Sequence, residues 1–224
     1  MNWLVTVLGV LSFLVLIPLA IISGTSGFIP ELLIFAALTV LLAYHAGALK
    51  LKVPVLTLVI FGMLLHGFGA LGFYGESPLP IQWDHVTHFV GLFAFALLIF
   101  GFVEQWMDAR VFSKKNVFLL ITIFLAAQGV GAVIELSEFA GYLKWGFGEG
   151  AFAFGPGDGL PSAAHTDAID NIGGGWINTG WDLIFNSLGI LAAMLILVVR
   201  RALVARPKSA YYFEDVGEWS RRVN

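Results

Sequence analysis

The chain has 224 residues, 58% of them hydrophobic and only 12% charged, with a formal net charge of −3 and no cysteine. An ordinary soluble domain is about 45–50% apolar and about 25% charged, and one of this size cannot hide so much apolar surface from water. A soluble enzyme and a disordered chain are excluded, the scarcity of basic residues argues against nucleic acid as a partner, and the lack of cysteine removes disulfides and thiolate metal sites.

A helix that crosses a bilayer needs about 20 mainly apolar residues. Six such runs are predicted, at roughly 3–23, 31–49, 53–73, 84–106, 116–139 and 181–203. Glycine, proline and polar residues separate them, around Gly24 to Pro30, Leu49 to Pro54, Tyr74 to Pro80 and Met107 to Asn116. The runs are unbroken rather than alternating, which argues for helices and against a β-barrel. The expected fold is therefore all-α: a six-span transmembrane domain over 1–203, with a long outer loop at 141–180 and a short cytoplasmic tail at 204–224. The loop is rich in glycine and acid, and its His165, Asp167 and Asp170 read as turn residues before they read as ligands.

Eleven of the 12 lysines and arginines fall on one side of this layout, and only Lys144 falls on the other. The positive-inside rule then places both termini in the cytoplasm, and the expected location is the cell inner membrane. The first run lacks a basic leading region and is longer than a signal-peptide core, so it reads as a span.

Polar residues inside the spans carry the functional signal. Trp83-Asp84-His85-Val86-Thr87-His88 opens the fourth span and Trp181-Asp182-Leu183-Ile184-Phe185-Asn186 opens the sixth. Each holds an Asp and, four residues later, a second ligand-type side chain on the same helix face. The fifth span adds Glu135 and Glu138, spaced i, i+3, near its outer end. All three pairs are expected at one depth. An ionisable group within a span costs about 2.5–3.5 kcal/mol on insertion scales, so several at one level are expected to face each other or a wet cavity.

Four carboxylates with no intramembrane lysine or arginine would repel one another, and a divalent metal such as zinc, magnesium or manganese would relieve that conflict. Asp84, His88, Asp182 and Asn186 are the expected metal ligands, with Glu135 and Glu138 as the expected catalytic pair. Plainer readings stand beside these. Asp84 and Asp182 would also suit helix N-caps, and Glu135 and Glu138 would also reach the headgroups. His85 is expected to point away from the site. His66 would either join it or bond to a neighbouring helix. Gly62, Gly67, Gly129 and Gly131 are expected to allow close helix packing.

Trp83 to Phe89, Gly131 to Glu138 and Gly180 to Gly189 resemble the three signature helices of VanZ-like membrane proteins, most closely the YjdF-like branch. The resemblance covers about 84–190 and implies a multi-span protein of the cell envelope, with Asn186 where the YjdF-like pattern favours Asp. Asp84, His88, Glu135, Glu138, Asp182 and Asn186 are its matching positions. The leading expectation is a metal-dependent hydrolase or phosphotransferase that acts on a membrane lipid or lipid-linked small molecule. A proton- or cation-coupled transporter and a non-catalytic subunit of a membrane complex are the alternatives.

Overall fold

The computed structural model describes residues 3–74, 77–145 and 168–204. Six α-helices make up the framework: α1 (Trp3–Ile22), α2 (Ile29–Tyr44), α3 (Val53–Phe68), α4 (Trp83–Val103), α5 (Lys114–Trp145) and α6 (Ala168–Val204). No strand occurs among the described residues. All six are long and apolar enough to cross a membrane. Large apolar side chains such as Leu11, Leu125, Leu136 and Leu195 are exposed on the bundle surface, where lipid takes the place of water.

Prolines set several of the starts. Pro30 and Pro54 sit in the first turns of α2 and α3, where a missing backbone N–H costs nothing. At the end of α3 the chain widens into a π-helical segment, Gly69–Phe73, and Gly72 adopts φ 133°, a conformation open to glycine alone at little cost. This fold-back lays the Tyr74 ring over Gly69 so closely that any Cβ there would collide with it.

α4 is the hinge of the architecture: it packs on α6 most extensively, and on α3 and α5. α1, α2 and α3 share one apolar core around Phe13, Leu32, Leu56 and Ile60. A second core around Leu92, Ala127, Ile190 and Ala193 joins α4, α5 and α6. Two glycines let α6 approach α4 and α5. A Cβ on Gly189 would run into the Phe89 carbonyl, and one on Gly131 would lie 2.6 Å from Asn186 Nδ2. Gly62 packs less tightly, a Cβ there lying 3.1 Å from Gly91 Cα, and Gly67 packs against Leu16, whereas a Cβ on Gly129 would meet open space. Gly129 therefore does not serve the close packing expected of it.

The last two helices outrun their apolar spans. Their apolar portions are Lys114–Gly141 and Asn178–Val204, near the expected limits, but α5 continues to Trp145 and α6 begins at Ala168. Hydropathy marks where lipid begins, not where a helix does, and the Gly173 to Gly175 run is carried inside α6 despite the propensity cost of glycine. Residues 146–167, with His165 and Asp167, and the tail beyond Val204 lie outside the described residues.

Candidate functional site

Near the start of α4, every side chain of the three expected pairs is buried. Asp84 is 8% exposed, His88 5%, Glu135 2%, Glu138 8%, and Asp182 and Asn186 0%. His88 is the hub. Its Nδ1 lies 3.1 Å from Asn186 Oδ1 and 3.2 Å from Glu135 Oε1, and its Nε2 lies 3.4 Å from Asp84 Oδ1. Ligand-type atoms of Asp84, His88 and Asp182 fall within 4.8 Å of one another, as do those of His88, Glu135 and Glu138. The six residues expected to converge are thus gathered around one imidazole.

The capping reading of the two aspartates does not survive. Asp84 follows the first residue of α4, whose N-terminus has no side-chain cap. Asp182 lies well inside α6, which starts at Ala168, so no free N–H groups await it there. Its Oδ2 instead accepts a 2.8 Å hydrogen bond from Asn178 Nδ2, one turn earlier. Glu135 and Glu138 do not reach out to headgroups either, since α5 runs on past them and both are buried among helices.

The hydrogen-bond pattern carries a chemical demand. If His88 donates its Nδ1–H to Asn186 Oδ1, its Nε2 lone pair faces the Asp84 carboxylate at 3.4 Å. Two acceptors at that distance need a cation between them, either a proton or a metal ion. Glu135 Oε1 lies close to His88 Nδ1, and the Thr179 hydroxyl of α6 is the other polar group beside this buried carboxylate. A carboxylate buried in this way is costly, and such costs concentrate at working sites.

His85 is the residue whose direction sequence reasoning missed. It lies about 100° round the helix from Asp84, on the side that meets α6. There it stacks on Phe185, ring centroids 4.4 Å apart, with Nε2 3.7 Å from Asp182 Oδ1. His66 bonds to a neighbouring helix, its Nε2 lying 2.6 Å from Glu31 Oε2 on α2 and the Tyr74 hydroxyl 2.5 Å from its Nδ1, while its ring lines the same cavity as His88 and Glu138. Glu31, fully buried, gave no signal of its own. An acid just after Pro30 reads as an ordinary helix start. Gln128 also links α5 to α6, its Nε2 donating to the Leu183 carbonyl at 3.3 Å.

Fold and site together define a polytopic helical membrane protein with a buried histidine–carboxylate centre at one end of its bundle. Within that class, the chain belongs to the family described as predicted membrane protein (DUF2238), whose sequence model matches residues 3–202. No curated protein and no solved structure matches it.

Proposed function

We propose that this protein is a metal-dependent enzyme of the cell inner membrane, a hydrolase or phosphotransferase whose substrate is a lipid or lipid-linked molecule. One observation carries this reading: a buried imidazole is shared by carboxylates from three helices, at distances a cation would close. Metal–ligand bonds are about 2.0–2.2 Å, so ligand atoms within 4.8 Å of one another need only small rotamer changes to meet on one ion. Asp84, His88 through Nε2, and Asp182 would hold zinc, magnesium or manganese. Asn186, expected as a fourth ligand, fits an orienting role better, because it accepts from the opposite ring nitrogen. Metal-bound histidines are commonly oriented in this way.

Bound there, a divalent ion would polarise an ester or phosphoester. Glu135, a buried carboxylate with no lysine or arginine against it among the described residues, would take the proton of an attacking water. Glu138, in the second group around His88, would hold that water or the leaving group. The segregation of basic residues supports cytoplasmic termini and an outward-facing site. The resemblance to VanZ-like proteins supports an envelope setting.

Elemental analysis of protein purified in detergent tests the metal. We expect a bound divalent ion that survives dialysis in the parent chain and is lost from Asp182→Ala. Metal-free parent protein of intact fold would overturn the reading. A reporter fused after Asn224 should be active only in the cytoplasm, and the opposite result would reverse the orientation.

A further inference from the structure

Between α3 and α5, across one face of α4 and with Phe35 and Leu38 of α2 in its wall, lies a partly open cavity of about 230 Å³. Its wall has a consistent gradient. Of 14 lining residues, the polar ones are His66, Thr87, His88 and Glu138. On each of the three helices that supply them, the apolar lining lies deeper: Val59 on α3, Phe95 on α4 and Val130 on α5. From His88 to Phe95 the apolar stretch runs about 10 Å along the α4 axis at about 1.5 Å per residue.

Gly91 points to the purpose of this space. It lines the cavity from the middle of α4, where glycine costs about 1 kcal/mol relative to alanine. No contact of its own demands the lack of a side chain, because a Cβ there would meet nothing within 4 Å. The glycine keeps the cavity open. Water cannot fill the deep half, which offers it no hydrogen-bond partners. The surrounding medium at this depth is hydrocarbon.

We propose that this cavity holds the hydrocarbon chain of a membrane lipid, entering sideways between α3 and α5, with the lipid's polar end at His66, His88 and Glu138. The assignment of chemistry to that polar end rests on the function proposed above, whereas the seat for the chain stands on the cavity itself. The Glu31–His66–Tyr74 chain of hydrogen bonds then has a place in the site. It fixes the imidazole that forms the wall opposite His88 and Glu138.

The test uses a phospholipid carrying a diazirine midway along one acyl chain, in nanodiscs with the full-length protein, and maps adducts by peptide mass spectrometry. Adducts are expected to concentrate on Val59–His66 and Val130–Glu138 over lipid-facing Leu11 and Leu195. Gly91→Leu, which fills the cavity from α4, should lower the cavity adducts severalfold and leave those at Leu11 and Leu195 unchanged. Val130→Phe, filling it from α5, should do the same and guards against misfolding of the first variant. Even labelling around the bundle, or no loss of cavity adducts in the folded variants, would overturn the proposal. Metal content measured on the same samples separates the two readings. Metal kept while label is lost supports the chain seat, and metal absent while label stays in the cavity removes the enzyme reading alone.

Discussion

The two ends of the bundle treat their acids in opposite ways. Where α4 finishes, Glu104 lies 3.8 Å from both Lys52 Nζ and Arg201 Nη1, and Asp108 lies 3.7 Å from Lys115 Nζ. The turn there is tied by Asn116, whose Nδ2 donates to the Asp108 and Arg110 carbonyls, and by Arg201, which donates to the Asp108 carbonyl at 2.6 Å. Lys52 and Lys115 stay largely exposed, and water shares the load. Where α4 starts, Asp84, Glu135 and Asp182 are buried and meet histidines and asparagines. Fixed cations in water make the first end cheap and ordinary. The second carries a cost that stability alone gives no reason to keep.

If that contrast is right, damage to the two ends should differ greatly in size. The largest effect is expected from His88→Ala, which strips Asp84 and Glu135 of their shared imidazole. Breaking a buried charged pair from one side costs about 3–5 kcal/mol, read as a large fall in thermal unfolding temperature in detergent. A loss no greater than that of a surface pair would mean that the cluster is wet, and the contrast would collapse.

Gly189→Val should come next. The new side chain would meet the Phe89 backbone, and overpacking of this kind costs about 1–3 kcal/mol. Its sharper readout is distance. Spin labels at His85→Cys and Phe185→Cys, whose parent rings stack across the α4–α6 contact, should lie farther apart beside Gly189→Val than in the parent background. Equal separations would show that the α4–α6 approach does not depend on this glycine.

The smallest effect belongs to the exposed end. Lys52→Ala should cost about 0–1 kcal/mol, as surface ion pairs do, and less in high salt. A penalty approaching that of His88→Ala would make the two ends alike.

Much of this architecture was legible because lipid simplifies the code. A span must be helical and apolar, so the six runs, and the outlying polar pairs Asp84/His88, Glu135/Glu138 and Asp182/Asn186, stand out in the sequence. Helical spacing put each pair on one face, and the alternation of spans put all three at one level. Hydropathy could not show that α6 begins at Ala168, since glycine and polar residues hide a helix that has left the apolar region. With that start hidden, Asp182 has the sequence signature of a helix cap although it lies well inside α6.

What the sequence determined by itself was therefore depth: which residues cross the membrane, and at what level their polar groups lie. Direction was decided by packing. His85 turns to Asp182 because α6 occupies that side of α4, with Gly189 against the Phe89 carbonyl. Glu31 finds His66 because α2 lies beside α3, and Tyr74 closes that chain because Gly72 folds the backbone back over Gly69. Depth is a one-dimensional property, set by each residue's transfer into hydrocarbon. Which faces meet depends on ridges, glycines and crossing helices from distant parts of the chain, and only the assembled bundle contains them.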